Sequence, residues 1–221
     1  MREIAGIVLA FVFIFAVIGV AQLLVSRKAV TPPVGRKIIH ISVAHWWLIA
    51  MAFHEALWAA LVGPIVFIVL NYLSYKRQLI TAMDAEETRG NLGTVYFPIS
   101  LLVVVLMTYG LGVPLYVGAI GILVMGYGDG LASLLGVHFG RAQTTLFRSS
   151  KSLVGSVAMF VASSLVTLTV VALTPGYAGP LVLAALLTGL VATVIEYVTP
   201  LGLDNLSVPI LTTLFFQGVF V

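Results

Sequence analysis

Eight apolar segments, separated by short polar or glycine- and proline-containing breaks, run through this chain. Crossing the hydrocarbon core of a bilayer takes about 20 apolar residues in an α-helix, and the alternating pattern of barrel strands is not visible. Apolar residues make up 61% of the 221 residues and charged residues only 9%, a balance that excludes an ordinary water-soluble domain. The sequence therefore predicts an all-α, polytopic integral membrane helix bundle of seven to eight transmembrane helices, forming a single domain over residues 1–221. The expected spans are residues 4–25, 38–53, 56–73, 95–109, 114–137, 153–173, 180–198 and a short last segment, 208–221.

Basic residues indicate the orientation of these helices. With eight spans, ten of the eleven Lys and Arg residues fall on one side, and only Arg2 falls on the other. Because basic loops stay in the cytoplasm, we expect a cytoplasmic active face and an N-terminus outside. The first segment is expected to remain as a helix, since its apolar run is longer than the core of a secretion signal. Nucleic acid is not an expected partner, because no basic stripe is interleaved with exposed aromatic residues.

Asp129 is the most unusual residue in the chain, because it lies in the glycine-rich break GYGDGLAS at the end of an apolar segment. A carboxylate at membrane depth is costly and is by default a functional candidate. Small residues recur around it every four positions, which predicts a ridge for close helix packing. That ridge is Gly128, Ala132, Gly136 and Gly140. The polar run that follows suggests a phosphate site, and it comprises Arg141, Arg148, Ser149, Ser150, Lys151 and Ser152, with Gly155 one turn further.

Three further polar clusters have two interpretations each. In RKIIH at residues 36–40, Arg36 and His40 share a helix face, while Arg36 and Lys37 could equally be anchors at the lipid headgroups. The hydrophilic stretch at residues 84–94 is either a solvated loop or the source of a carboxylate for a divalent cation. The segment at residues 196–209 is either a simple turn or a place where Glu196 and Asp204 act on a cation or a proton.

Several motifs together resemble the membrane CTP-dependent lipid kinases, the family of phytol, dolichol and yeast-type diacylglycerol kinases. The strings are GDGLASLLGVHFGR followed by KSLVGS, with RKIIH before them, GTVYFP at residues 93–98 and GLDNLSVP at residues 202–209. They occur in the order expected for the family and extend over most of the chain. One position departs from the pattern, because relatives commonly have a glutamate where this chain has Val154.

The resemblance implies transfer of the terminal phosphate of CTP to a long-chain isoprenoid or lipid alcohol, with Mg²⁺ as cofactor and the alcohol's tail in the membrane lipid. It implies catalytic roles for Asp129, His40 and Lys151, with His40 orienting the alcohol or acting as a base. Asp129 would bind the metal or accept the alcohol proton. The implied phosphate and nucleotide contacts are Arg36, Lys37, Gly128, Gly130, Arg141, Ser152, Gly155 and Asn205. The implied metal ligands are Asp129, Asp204 and Glu87.

Two alternatives remain open from the sequence. Membrane cytidylyltransferases have a similar Asp, glycine-rich and Lys-Ser/Thr sequence and also use CTP, but they release pyrophosphate and make a CDP-activated lipid. The carboxylate-rich signature expected near their end is not evident here. A small membrane transporter would share the helix count and the charge bias. The sequence does not identify the alcohol or the oligomeric state.

Overall fold

The structure, a computed structural model, describes residues 1–77, 92–140, 143–146, 149–200 and 202–221. These residues form ten α-helices and one two-stranded antiparallel hairpin, in which Gln143 pairs with Ser152. The helices are α1 Arg2–Ser26, α2 Pro32–Ala44, α3 Trp46–Phe53, α4 Leu57–Arg77, α5 Gly93–Val105, α6 Leu115–Leu123, α7 Gly130–Phe139, α8 Leu153–Leu173, α9 Leu181–Val198 and α10 Asp204–Phe220. The strands are β1 Gln143–Leu146 and β2 Ser149–Ser152. Two π-helical turns, Leu106–Gly110 and Val124–Asp129, extend α5 and join α6 to α7.

Within the residues that the structure describes, six helical segments are long and apolar enough to cross a membrane, which confirms the predicted class of a polytopic helix bundle. They are Arg2–Ser26, Leu57–Arg77, Gly93–Gly110, Leu115–Phe139, Leu153–Leu173 and Leu181–Val198. The predicted count of seven to eight is higher than these six. Two expected spans account for the difference. The span at residues 38–53 is divided between α2 and α3, and α10 has only 17 residues.

The interruption between α2 and α3 lies at His45. Nδ1 of its ring lies 3.1 Å from the carbonyl oxygen of Ile41 and 3.2 Å from that of Ser42. The backbone N–H of His45 donates to Ser42 at 3.0 Å, a three-residue bond instead of the four-residue bond of an α-helix. The hydrophobic pattern is continuous through this point, so the break was not predicted.

The predicted ridge of small residues is confirmed, and its partner is α8. A Cβ atom on Gly128 would lie 2.5 Å from Sδ of Met159, and one on Gly155 would lie 3.0 Å from the carbonyl oxygen of Ala132. Small residues therefore let the segment that bears Asp129 approach the start of α8 closely. This contact brings Asp129 and Lys151 to the same end of the bundle.

The charged side chains divide between the two ends of the bundle. Arg2, at the start of α1, pairs with Glu55 at 2.8 Å, and the carboxylate of Glu3 lies 3.0 Å from Nδ1 of His54. Lys37 and Asp129 meet near the other end of these helices. Among the described residues, Arg2 and Lys37 therefore lie at opposite ends of the bundle, as the sequence predicts.

Candidate active site

Asp129 closes the π-helical turn Val124–Asp129 and is 6% exposed. A π-helical turn inserts an extra residue into the helix and is frequent at functional sites. The carboxylate accepts a hydrogen bond from Nζ of Lys37 at 2.6 Å. Nε2 of His40 lies 3.5 Å from the same oxygen, Oδ2, and makes no hydrogen bond with any described residue. The motifs RKIIH and GDG, which are about 90 residues apart in sequence, thus form one site.

Three buried carboxylates form a cluster at this point, namely Asp129, Glu196 and Asp204. One ligand oxygen of each lies within 4.8 Å of the others. Like charges this close repel in a buried setting, so a cation has to be near them. Lys151 supplies one, because its Nζ donates to Glu196 and also to Oδ2 of Asp204 at 3.3 Å.

The charge state of Lys151 follows from these neighbours. Burial alone would lower the pKa of its ammonium, but Asp204 and then Glu196 oppose that effect and hold the pKa above its ordinary value. Lys151 is therefore a cation at neutral pH. It can neutralise the carboxylates, and it can also attract a phosphate.

The loop before α10 positions Asp204. Gly202 has a φ of 78°, a left-handed conformation that glycine adopts without strain. Asn205 then holds the Asp204 carboxylate, because its backbone N–H donates to Oδ1 at 3.0 Å and its side-chain amide donates to Oδ1 at 3.2 Å. The GLDN motif therefore turns the chain and fixes the Asp204 carboxylate in the cluster.

A first cavity of about 210 Å³ opens beside this cluster. Its polar end includes Arg36, Lys37, His40, Asp129 and Asn205, and its other end is lined by apolar side chains of α1, α2, α4 and α5. The ring of Phe97 packs on that of His40, with 4.7 Å between the ring centres. The cavity is therefore amphipathic, and His40, whose Nε2 has no hydrogen-bond partner in the described part of the chain, is one of the residues that line it.

A second cavity of about 160 Å³ lies on the other side of Asp129. The start of α8 lines it with Lys151, Ser152, Gly155 and Ser156, and Glu196 lies at its edge. Ser152 caps α8, because its Oγ accepts a hydrogen bond from the N–H of Gly155 at 3.1 Å. A helix N-terminus with a lysine and hydroxyls is a favourable place for an anion.

Asp129 and Ser133 line both cavities. They are four residues apart at the start of α7, so their side chains share one face of the helix. An apolar molecule in the first cavity and an anion in the second would meet at these two residues.

Asn71 and Pro98 form a supporting contact on the wall of the first cavity. Proline has no N–H, so Pro98 leaves the carbonyl of Thr94 without its usual helical donor. The side-chain amide of Asn71 donates to this carbonyl at 2.7 Å. The contact joins α4 to α5 and explains the proline in GTVYFP.

The structure brings together most of the predicted site residues that it describes. The residues on the cavity walls are Arg36, Lys37, His40, Asp129, Lys151, Ser152, Gly155, Asp204 and Asn205. Gly128 and Gly130 lie at helix contacts instead, against Met159 and Ile41, so their contact with nucleotide stays a prediction. Arg141 and Glu87 lie outside the described residues, so their roles also stay predictions.

Three site residues were not assigned from the sequence. The sequence indicates Glu196 as a possible cation or proton group but gives no reason to select it as a metal ligand. It does not distinguish Ser133 and Asn71, because a serine four residues after Asp129 and an asparagine within an apolar helix have common structural roles. The i, i+4 spacing from Asp129 is the sequence signal that indicates Ser133.

Val154 occupies the position where relatives commonly have a glutamate. It is 37% exposed and lines neither of these two cavities. In this chain, position 154 therefore contributes no side chain to either cavity.

Comparison with known proteins identifies relatives over nearly the whole chain. Phytol kinase of Synechocystis is 32% identical over 203 residues, which cover 91% of this chain and 86% of that protein. The probable chloroplastic phytol kinase of Triticum aestivum is 31% identical, with 86% of this chain and 69% of that protein covered. Probable phytol kinase 1 of Oryza sativa is 28% identical and covers 97% of this chain and 73% of its own.

No protein-family model matches the chain. No solved structure matches it either. All three relatives are named as phytol kinases or probable phytol kinases. The chain belongs to the phytol kinase family, which confirms the prediction of a membrane phosphotransferase with an alcohol acceptor.

Proposed function

We propose that this protein transfers the terminal phosphoryl group of CTP to the hydroxyl of a long-chain isoprenoid alcohol, such as phytol or geranylgeraniol. The products are the lipid monophosphate and CDP. The names of the relatives support the kinase activity and the alcohol, and the sequence motifs support CTP. The observation that carries the proposal is that Asp129 and Ser133 line both cavities.

The alcohol occupies the first cavity. The apolar end suits an isoprenoid tail, and the polar end suits a hydroxyl at His40 and Asp129. A tail buried there stays in an apolar environment while its hydroxyl reaches polar side chains. This arrangement accounts for an active site that is embedded in a helix bundle.

The triphosphate occupies the second cavity. Lys151 is charged and lines this cavity, and the N-terminus of α8 adds a positive partial charge. Catalysis of phosphoryl transfer consists mainly of positioning and charge neutralisation, which these groups can provide. Ser152 holds the start of α8 in place through its cap.

The carboxylate cluster fits a magnesium ion. Asp129, Glu196 and Asp204 offer hard oxygen ligands close to one another, which is the donor type that Mg²⁺ prefers. When bound there, Mg²⁺ would neutralise charge on the phosphates. Asn205 orients the Asp204 carboxylate for this role through its two hydrogen bonds.

His40 is the group that takes the proton of the alcohol. Its Nε2 is buried and makes no hydrogen bond with a described residue, and the His40 side chain lines the cavity assigned to the alcohol. The alcohol oxygen forms a bond to the terminal phosphorus of CTP, and the bond from that phosphorus to the bridging oxygen breaks. The proton passes to His40, and CDP leaves with the bridging oxygen. Asp129 would be a ligand of the metal, and its carboxylate would also stabilise the protonated imidazole of His40.

We assign the site end of the bundle to the cytoplasmic side and the N-terminus to the outside. The basic side chains Lys37 and Lys151 lie at the site end, while Arg2 lies at the other. Basic residues are retained on the cytoplasmic side, where CTP is present.

The test uses purified protein in lipid nanodiscs with Mg²⁺, geranylgeraniol or phytol, and CTP labelled at either the α- or the γ-phosphate. We expect γ-label in the lipid product, unlabelled lipid from α-labelled CTP, and one CDP per lipid monophosphate. Asp129→Asn should abolish the reaction. Glu55→Gln is the matched control, because this carboxylate is exposed and lies at the opposite end of the bundle.

Two results would contradict the proposal. Transfer of the α-label with release of pyrophosphate would identify a cytidylyltransferase. Full activity of Asp129→Asn would remove Asp129 from the mechanism.

A further inference from the structure

The first cavity changes character along its depth. Its lining includes the polar side chains of Arg36 and Asn205 and also the apolar side chains of Ile14, Phe67 and Leu101. These three side chains are 1%, 5% and 1% exposed. The cavity therefore has a closed apolar end made by three different helices.

The closed end lies deep in the bundle. With a rise of about 1.5 Å per residue, Ile14 is about 18 Å from the end of α1 at Ser26, and Leu101 is about 12 Å from the start of α5 at Gly93. Phe67 is about 15 Å from the end of α4 at Arg77 by the same measure. These depths are near the middle of a hydrocarbon core of about 30 Å.

The closed end is also supported from behind. The ring of Phe11 packs against that of Phe67, with 5.4 Å between ring centres, and Phe15 stacks on Phe11 at 6.1 Å. Phe67 thus cannot move aside without disturbing a second layer of aromatic rings. A molecule that is too long for the cavity would therefore have to displace the ring of Phe11 together with that of Phe67.

We propose that Ile14, Phe67 and Leu101 form a floor that sets the length of the isoprenoid alcohol the enzyme accepts. The inference rests on the proposed function, because it assigns the first cavity to the alcohol's tail. A tail that reaches the floor gains contact with all three side chains, whereas a longer tail has to displace them. The selectivity between neighbouring lengths is on the order of tenfold or more, as for other apolar pockets.

The experiment compares alcohols that differ by one isoprene unit, from geraniol through farnesol and geranylgeraniol to geranylfarnesol. The ratio of kcat/KM between neighbouring alcohols is measured for the wild type in nanodiscs and for two variants. Phe67→Leu enlarges the closed end and should shift preference toward longer alcohols by about tenfold. Leu101→Phe fills it and should shift preference by a similar factor toward shorter ones.

Phe216→Leu is the matched control. Phe216 is fully buried, but it packs against Tyr116 and Tyr177 and lines neither cavity. It should leave the ratios within about twofold of the wild type, since the same side-chain loss occurs away from the tail. Identical length profiles in Phe67→Leu, Leu101→Phe and the wild type would overturn the floor, and would indicate a tail that leaves the cavity for the lipid.

A second measurement separates this inference from the proposed function. The unfolding temperature of each protein is recorded with each alcohol and without nucleotide, which reports binding alone. If Phe67→Leu changes which alcohol length raises the unfolding temperature most, while no alcohol is phosphorylated, the role of the floor is supported and the proposed reaction is wrong. If phosphorylation occurs but the most stabilising length is the same in every variant, the floor is wrong and the reaction stands.

Discussion

Nζ of Lys37 lies 2.6 Å from Oδ2 of Asp129, and this ion pair joins α2 to the π-helical turn before α7. The two side chains are only 13% and 9% exposed. Neither charge is therefore well hydrated, and each depends on the other for compensation. The pair fixes the side chain that borders both cavities.

Replacing Lys37 should destabilise the protein as well as reduce its activity. Lys37→Met leaves the Asp129 carboxylate without its partner, which costs about 3 kcal/mol or more in the free energy of unfolding. The double variant Lys37→Met with Asp129→Asn should be less destabilised than Lys37→Met alone. Unfolding of the detergent-solubilised proteins measures both.

The exposed pair Arg2–Glu55 provides the control for Lys37. Its side chains are 63% and 77% exposed, so solvent screens their attraction. Arg2→Met should therefore change stability by less than about 1 kcal/mol. If Lys37→Met and Arg2→Met lowered the free energy of unfolding equally, the buried pair would have no special importance for stability.

Glu196 should govern the dependence of the reaction on Mg²⁺. Glu196→Gln removes one carboxylate from the cluster while keeping the side-chain size, so the concentration of Mg²⁺ at half-maximal rate should rise about tenfold or more. Tenfold corresponds to about 1.4 kcal/mol of binding free energy. An unchanged Mg²⁺ titration would exclude Glu196 as a ligand.

Sequence reasoning identified Asp129, Lys37, Lys151 and Asp204, because charged residues in so apolar a chain are few. The sequence alone does not assign a ligand role to Glu196, because a single acid near the end of a helix has several ordinary explanations. Only the packing of α9 beside α8 brings its carboxylate to Lys151. That contact depends on tertiary structure, which a single sequence read by itself does not determine.

Lys151 should act mainly on nucleotide binding. The neighbouring carboxylates hold its pKa above the ordinary value, so its charge persists throughout the neutral range. Lys151→Ala should raise the KM for CTP by about tenfold or more, with a smaller change in the KM for the alcohol. The range from pH 6 to 9 ends roughly 1.5 units below the ordinary lysine pKa. Lys151 therefore does not titrate in this range, and the KM for CTP in the wild type should show no step attributable to this residue there. Unchanged CTP affinity and turnover in the variant would refute the phosphate role.

One predicted span is divided for a local reason. Hydropathy treats residues 38–53 as one apolar segment, but the His45 ring binds the carbonyls of Ile41 and Ser42 and interrupts the helix. A hydrophobicity pattern records transfer from water and contains no information about such a contact. The break also places His45 beside the turn that carries Asp129.

Tyr127 should position that turn through His45. Nδ1 of His45 faces backbone carbonyls and so carries the ring proton, which leaves Nε2 to accept the hydrogen bond of the Tyr127 hydroxyl at 2.9 Å. Tyr127→Phe removes this bond and should lower kcat about tenfold while the KM values change less than about twofold, since only the placement of Asp129 is disturbed. Tyr109→Phe is the control, because the Tyr109 hydroxyl has no hydrogen-bond partner in the described part of the chain. An equal fall in kcat for both variants would contradict a positioning role for Tyr127.

Gly155 should tolerate no side chain, because it lies where α8 crosses the helix that begins after Asp129. A Cβ atom at this position would lie 3.0 Å from the carbonyl oxygen of Ala132 and 3.2 Å from Oγ of Ser152. Gly155→Ala should therefore push α8 away from α7, lower stability by about 1–3 kcal/mol and reduce activity by moving Lys151 relative to Asp129.

Gly19 is the matched control, since it lies within α1 and a Cβ atom there would meet nothing within 4 Å. Gly19→Ala should be neutral or stabilising by up to about 1 kcal/mol, because alanine favours the helix. Thermal unfolding and CTP turnover of the two variants distinguish close packing at Gly155 from a general effect of adding a methyl group. Equal results for Gly155→Ala and Gly19→Ala would show that the helix contact at Gly155 has room for a side chain.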